Sequence, residues 1–298
     1  MDSIRQIAEQ VEAGVKGVFE SDAYRNYLAT MSRFHSYSLN NTILIYQQKP
    51  DATYIAGYQA WYRSFGRWVR KGEKSIRIMA PITKVRESES QDGSSGKRVI
   101  VGYRAIPVFD ISQTDGAPLP SFLQEKIDGE VEDYDSFRAA LELVSPVPIR
   151  YESLEGRANG YYSLERKEIV IDDTLSQLQT VKTVIHEISH AMLHSGKSLD
   201  IDRRTMEVQA ESIACAVCMH YHLDPSEYSF GYIAGWSKDQ ELAELKKSME
   251  VICHTSHKII HALDQIINPD FQTPRDSSGL HAMQEAERIL SGAYSNYA

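Results

Sequence analysis

In the stretch TVKTVIHEISHAMLHSG, His186 and His190 stand four residues apart. At about 3.6 residues per turn they project from one face of a helix, one turn apart, so both imidazoles can reach a single ion. Glu187 is rotated by about 100° from His186, too far round to ligate but near enough to take a proton from a water activated there. This is the H-E-x-x-H pattern of zinc hydrolases. It lies amid apolar Val184, Ile185, Ile188, Ala191 and Leu193 and follows an alternating IVI strand placed as a substrate-aligning edge. A catalytic zinc takes three protein ligands and keeps a fourth position for water. Downstream, MEVQAESIACAVC offers Glu207 and Glu211, again four apart on one helical face, one to ligate and the other to orient an imidazole from behind. Spacing alone leaves open which does which. His194 extends the histidine row by another turn, but three ligands on one helix would be strained, so it reads as a packed or supporting residue. Nothing selects one of His220, His222, His254, His257, His261 and His281 as a donor. Tyr161 and Tyr162 are candidate oxyanion donors with an ordinary packing role as the rival reading.

A second constellation lies near the start of the chain. Arg63, Arg67, Arg70, Lys71, Lys74 and Arg77 crowd together, interleaved with Trp61, Tyr62, Phe65 and Trp68. Single-stranded nucleic acid needs cations for its phosphates and flat side chains for its unstacked bases. Gly66 and Gly72 let the backbone turn there, and Tyr37, Asn40 and Asn41 add stacking and hydrogen-bonding candidates. The competing reading makes Trp61 and Trp68 core anchors and the cations a solvated turn.

Apolar spacing up to about Phe34 predicts two helices, and ILIYQQ, started at Asn40-Asn41-Thr42, a third that must stop before Pro50. From Ser75, SIRIMAPITKV and RVIVGYRAIPVFDI read as a hairpin around the polar RESESQDGSSGK, a long mobile loop. Past the Gly/Pro-rich SQTDGAPLPS come a helix (DSFRAALELV), a strand (VPIRYESL) and a strand pair (GYYSLERKEIVIDD). Helices follow: the two metal-site helices and then a long tail of helical pattern. There is no internal repeat. The expectation is α+β: N-terminal helices with a small β-sheet in residues 1–115, a linker over 116–135, and a second α+β domain over 136–298.

The 298 residues are 42% hydrophobic and 24% charged, ordinary globular usage. The first residues lack a secretory signal, and no run is long and apolar enough for a membrane span, so a cytoplasmic protein with no membrane partner is expected. Three cysteines suit a reducing compartment, and Cys215 and Cys218, in apolar IACAVCMHY, read as core. The net charge of −9 is uneven: residues 1–115 carry 16 Lys+Arg against 12 Asp+Glu (+4), the rest 16 against 29 (−13). Only the N-terminal part suits a polyanion.

HEISHAMLH, followed by Glu207-Val-Gln-Ala210-Glu211-Ser-Ile213-Ala214, resembles the zinc-peptidase half of the antirestriction ArdC and LtrC-like proteins of mobile elements, related to the ImmA/IrrE peptidases. FHSYSLNNTILIYQQKPDATYIAGYQAWYRSFGRWVRKGEKSIRIMAP, with VFDISQT, resembles their single-stranded DNA-binding domain. Together these cover roughly residues 5–115 and 150–225. The resemblance implies a zincin-like (gluzincin) metallopeptidase domain with Zn2+ on His186, His190 and Glu207, Glu211 behind them and Glu187 as the base. It further implies single-stranded DNA and a protein or peptide substrate as partners, in antirestriction or conjugation. The rival expectations are a non-enzymatic DNA-binding protector whose zinc is structural, and a regulatory zinc peptidase that cleaves a repressor. The acid total charge departs from that of a dedicated DNA-binder.

Overall fold

The computed structural model describes residues 4–19, 23–86, 97–118, 134–154, 158–195, 201–223, 230 and 233–267. They fall into two compact units. The first holds residues up to Gly14 and those from Ser36 to the strand ending at Gly116; the second holds Val15–His35 and everything described from Tyr134 onward. Residues 15–35, counted with the N-terminal domain from sequence, therefore cluster with the second unit. Their packing gives the reason: Phe19 and Tyr24 stack at 5.2 Å, and the Tyr24 hydroxyl meets Ser212 Oγ at 2.7 Å in the second unit's interior.

The first unit holds α1 (Ile4–Gly17) as far as Gly14 and contains α3 (Leu39–Gln48), β1 (Ile55–Gly57), α4 (Tyr58–Phe65), β2 (Arg67–Val69), β3 (Ile76–Arg86), β4 (Lys97–Asp110) and β5 (Thr114–Gly116). Strands β1, β4 and β3 form an antiparallel sheet in that order, and β2 pairs with β5. The expected hairpin is β3–β4; its proposed mobile loop lies outside the described residues, as does most of the expected linker. Because β3 is an edge strand, its outward N–H and C=O groups need partners. Helix α3 supplies them from side chains. Asn41 donates to the Met79 carbonyl at 3.0 Å and accepts from its N–H at 2.8 Å, and Gln48 does the same for Arg77. Asp110, at the end of β4, is fully buried and accepts from the N–H groups of Thr53, Tyr54 and Ser112. The VFDISQT motif is thus a structural knot. Helix α4 ends at Gly66 with φ of 60°, a left-handed cap that favours glycine.

The second unit comprises α2 (Ala23–Arg33), α5 (Tyr134–Val144), β6 (Ile149–Glu152), β7 (Gly160–Ser163), β8 (Glu168–Asp172), α6 (Gln177–Leu193), α7 (Arg203–His220), α8 (Ile233–Lys238) and α9 (Leu242–Ile267). Its sheet has the order β6–β8–β7, with β6 parallel and β7 antiparallel to β8. The IVI strand, expected at the substrate-aligning edge, is β8 and is central. Ile169, Val170 and Ile171 are all buried, as a strand covered on both faces requires, and the edge beside the metal-site helix is β7 instead. Helix α6 starts at the Ser176 cap and α7 at the Asp202 cap. From Val208 to Cys218, α7 is buried on nearly every face, including Cys215 and Cys218, which are free thiols. Among the described residues no helix is long and apolar enough to cross a membrane.

Candidate metal centre

Helix α6 presents His186 and His190 on one face, with Nε2 atoms 3.0 Å apart. Glu207, in the first turns of α7, brings Oε2 to 3.5 Å from His186 Nε2 and 3.7 Å from His190 Nε2. Three ligands at 2.0–2.2 Å from a tetrahedral ion lie roughly 3.3–3.6 Å from one another, so two imidazoles and one carboxylate converge at a spacing that fits such an ion. The set is one of two such His/carboxylate groups among the described residues.

Each imidazole is also held from behind, as metal-site histidines generally are. Glu211 Oε2 lies 3.3 Å from His186 Nδ1. His190 Nδ1 meets His194 Nδ1 at 2.8 Å, and His194 Nε2 reaches Gln209 Oε1 at 3.2 Å, whose amide donates to Ser248 Oγ. His194 is buried, and that burial lowers its pKa. Gln209 has no signature in the sequence, because it sits unmarked between the two glutamates that do.

The electrostatics follow from this clustering. Burial disfavours a charge on His186, but the Glu207 and Glu211 carboxylates more than offset it and raise the imidazole to about 9. His186 and His190 hold Glu207 well below the usual carboxylate range. Glu187 points the other way: at 7% exposure its burial raises it, while His186, His190 and the Tyr162 backbone N–H act against that rise. A carboxylate moved toward neutrality beside two imidazoles suits a proton acceptor.

The Tyr162 N–H belongs to edge strand β7, so the part of this pair that reaches the centre is main chain. A Cβ at Gly160 on the same strand would come within 2.8 Å of Thr183 on α6 and 2.9 Å of the Val170 carbonyl. The missing side chain therefore lets strand and helix approach closely. A cleft of about 310 Å³ opens beside the centre, lined by Asn159, Gly160, Lys182, His186, Glu187 and Glu211 among others.

In the first unit the residues expected at DNA separate into two groups. Trp61 is fully buried and its indole N–H donates to the Phe109 carbonyl at 2.9 Å, so it is a core residue and no base can stack on it. Asn41 is buried and spent on β3. Arg67 donates to the Thr114 hydroxyl and carbonyl, and Arg70 is drawn to Glu73, Asp115 and the Ser112 carbonyl; both brace β2 against β5 and its neighbours. Exposed instead are Trp68 (54%), Tyr62 (66%) and Tyr58 (54%), with Arg63, Lys71, Lys74 and Asn40 also on the surface and Tyr37 half-buried. Tyr58 was not singled out from sequence, although its spacing of four from Tyr62 places both on one face of α4. The two tryptophans should respond differently to truncation. Trp61→Ala is expected to cost about 3–5 kcal/mol in a urea denaturation series and Trp68→Ala less than about 1 kcal/mol.

Two protein families match separate stretches of the chain. Residues 2–109 match the family described as the N-terminal domain of anti-restriction factor ArdC, and residues 144–257 match a peptidase family described as the IrrE N-terminal-like domain. An uncharacterised protein of Bacillus anthracis is 25% identical over 98% of this chain; the chain spans 56% of that relative's length. Two crystal structures of the antirestriction protein ArdC from the R388 plasmid, one metal-free and one Mn(II)-bound, are 24% and 23% identical. They align over 80% and 79% of this chain and 86% of each of theirs, with TM-scores of 0.49 and 0.46.

Proposed function

Because this chain matches the ArdC-like family, with an ArdC-type N-terminal domain followed by an IrrE-like one, we propose that it is a cytoplasmic antirestriction or conjugation accessory protein of a mobile element. In this reading it holds single-stranded DNA in its first unit and hydrolyses a peptide bond at a zinc centre in its second. The observation that carries the peptidase half is the convergence of His186 Nε2, His190 Nε2 and Glu207 Oε2 with Glu187 buried alongside.

His186, His190 and Glu207 would hold the ion, and zinc suits two imidazoles and a carboxylate. When bound, it supplies Lewis-acid polarisation of the scissile carbonyl and of the attacking water. Glu187 accepts the proton of that water as attack proceeds and passes it to the leaving amine, with the Tyr162 N–H fixing the carboxylate's position. Strand β7, the sheet edge beside α6, offers main-chain groups along which an extended peptide can pair. Glu211 and His194 keep the two ligating imidazoles in the rotamers that face the ion.

For the first unit, support comes from the exposed aromatic surfaces of Trp68, Tyr62 and Tyr58 interspersed with Arg63, Lys71 and Lys74. The test is a fluorescence-anisotropy titration of the metal-assayed protein against single-stranded and duplex DNA at two salt concentrations. The expected result is tighter binding to the single strand, weakened by salt and weakened a further 5- to 160-fold or so by Trp68→Ala, the range of about 1–3 kcal/mol for one stacked base. Equal affinity for heparin and for single strands would remove the DNA assignment and leave a peptidase whose partner is a protein.

A further inference from the structure

A second cluster of metal-type donors lies within the second unit, built from residues that the peptidase centre does not use. His35, just beyond the end of α2, His220, the last residue of α7, and Asp264 on α9 each bring one donor atom within 4.8 Å of the other two. His35 is 8% exposed, the His220 side chain 8% and that of Asp264 20%, so this is a largely enclosed group and no surface patch of acids.

The hydrogen bonds around it orient the donor atoms. His220 Nδ1 lies 3.0 Å from the Ser32 carbonyl, an acceptor only, so the ring carries its proton there. His220 Nε2 faces Asp264 Oδ1 at 3.7 Å. Asp264 Oδ1 is itself steadied by the Tyr221 hydroxyl, which donates at 2.9 Å. The His35 ring stands nearly perpendicular to that of His220, centroids 4.8 Å apart, and its Nδ1 meets His257 Nδ1 at 3.1 Å. A backbone carbonyl behind one imidazole, a second imidazole behind the other and a hydroxyl behind the carboxylate repeat the pattern of outer partners that orients metal ligands. The peptidase centre shows the same device, with His194 behind His190.

We propose that His35, His220 and Asp264 form a second divalent-metal site, supported by His257, that binds a zinc-class ion and clamps the segment after α2 to the ends of α7 and α9. Two imidazoles and one carboxylate are the donors such an ion prefers, and the enclosure fits a site that holds an ion for structure. The inference stands apart from the peptidase reading, since it shares no ligand with His186, His190 or Glu207.

The test begins with the full-length chain carrying His186→Ala and His190→Ala, which removes the first centre. After zinc loading and dialysis against metal-free buffer, mass spectrometry of the metal content should find one zinc per chain, against two in the unsubstituted protein. Zinc should also raise the melting temperature of this variant. Adding His220→Ala should bring the content to zero and abolish that thermal response. Should that triple variant fail to fold, His257→Gln in the same background serves, with an expected 10- to 100-fold weaker zinc affinity and an unchanged circular dichroism spectrum. A His186→Ala/His190→Ala chain that holds no zinc and shows no thermal response overturns the proposal, as does zinc binding indifferent to His220→Ala or, for a triple variant that does not fold, to His257→Gln.

Discussion

Glu187→Gln is expected to leave the metal content of the protein unchanged while lowering peptide hydrolysis by about 10²- to 10⁴-fold, the contribution of a positioned general base. The substitution keeps the shape of the side chain and an oxygen for the Tyr162 N–H, so the local structure has no reason to move. What disappears is the lone pair that takes a proton. Glu187 is suited to that task because burial pulls it toward neutrality while the neighbouring His186 and His190 keep it ionisable. The measurement is turnover of a quenched peptide library by wild-type and variant proteins of equal zinc content. Undiminished turnover in the variant would refute the role. If wild type turns over nothing, and protection of incoming DNA is equally strong in both, the chain is a DNA-binding protector in which the zinc centre serves structure.

The two glutamates of α7 should separate just as sharply. Glu207→Gln replaces a charged donor lying 3.5 and 3.7 Å from the two imidazole Nε2 atoms, so zinc affinity is expected to fall more than 100-fold, and activity with it. Glu211→Gln removes only the carboxylate behind His186 Nδ1 at 3.3 Å. Loss of such an outer partner typically costs 10- to 100-fold, and the amide oxygen can still accept from the imidazole N–H, so the lower end is expected. Competition titrations with a zinc-sensitive chelating dye compare the two variants on one scale. A larger loss for Glu211→Gln would exchange their roles.

Spacing made the first constellation readable. A helix converts an interval of four into a shared face, which is why His186, Glu187 and His190 could be assigned jobs from the sequence and why Glu207 and Glu211 could be narrowed to a pair. The same logic cannot reach His35, His220 and Asp264, since nothing in the chain announces that the end of one helix will meet two others folded far away in sequence. The aromatic and basic stretch was readable in composition but not in burial. Trp61 and Trp68 look alike in a string of letters, yet one is sealed against Phe109 and the other is over half exposed. Three-residue strands such as β1, β2 and β5 are too short to show a period and escaped notice. The misplaced edge has an equally plain cause: three consecutive apolar residues, Ile169 to Ile171, mark a strand covered on both faces, while the neighbouring Gly160–Ser163 carries the polar and glycine residues of an outer strand.

The amides of Asn41 and Gln48 that close the outer side of β3 have a further consequence for the fate of the protein in a crowded solution. A strand edge capped by side chains is not permanently occupied as it would be by another strand; it is shielded only while α3 stays docked. Any partial opening that lifts α3 uncovers a row of peptide groups ready to recruit an extended segment of another molecule. Substituting Asn41 or Gln48 by an apolar residue would therefore show itself less in the melting temperature than in concentration-dependent precipitation, with the first unit seeding intermolecular sheet growth from β3.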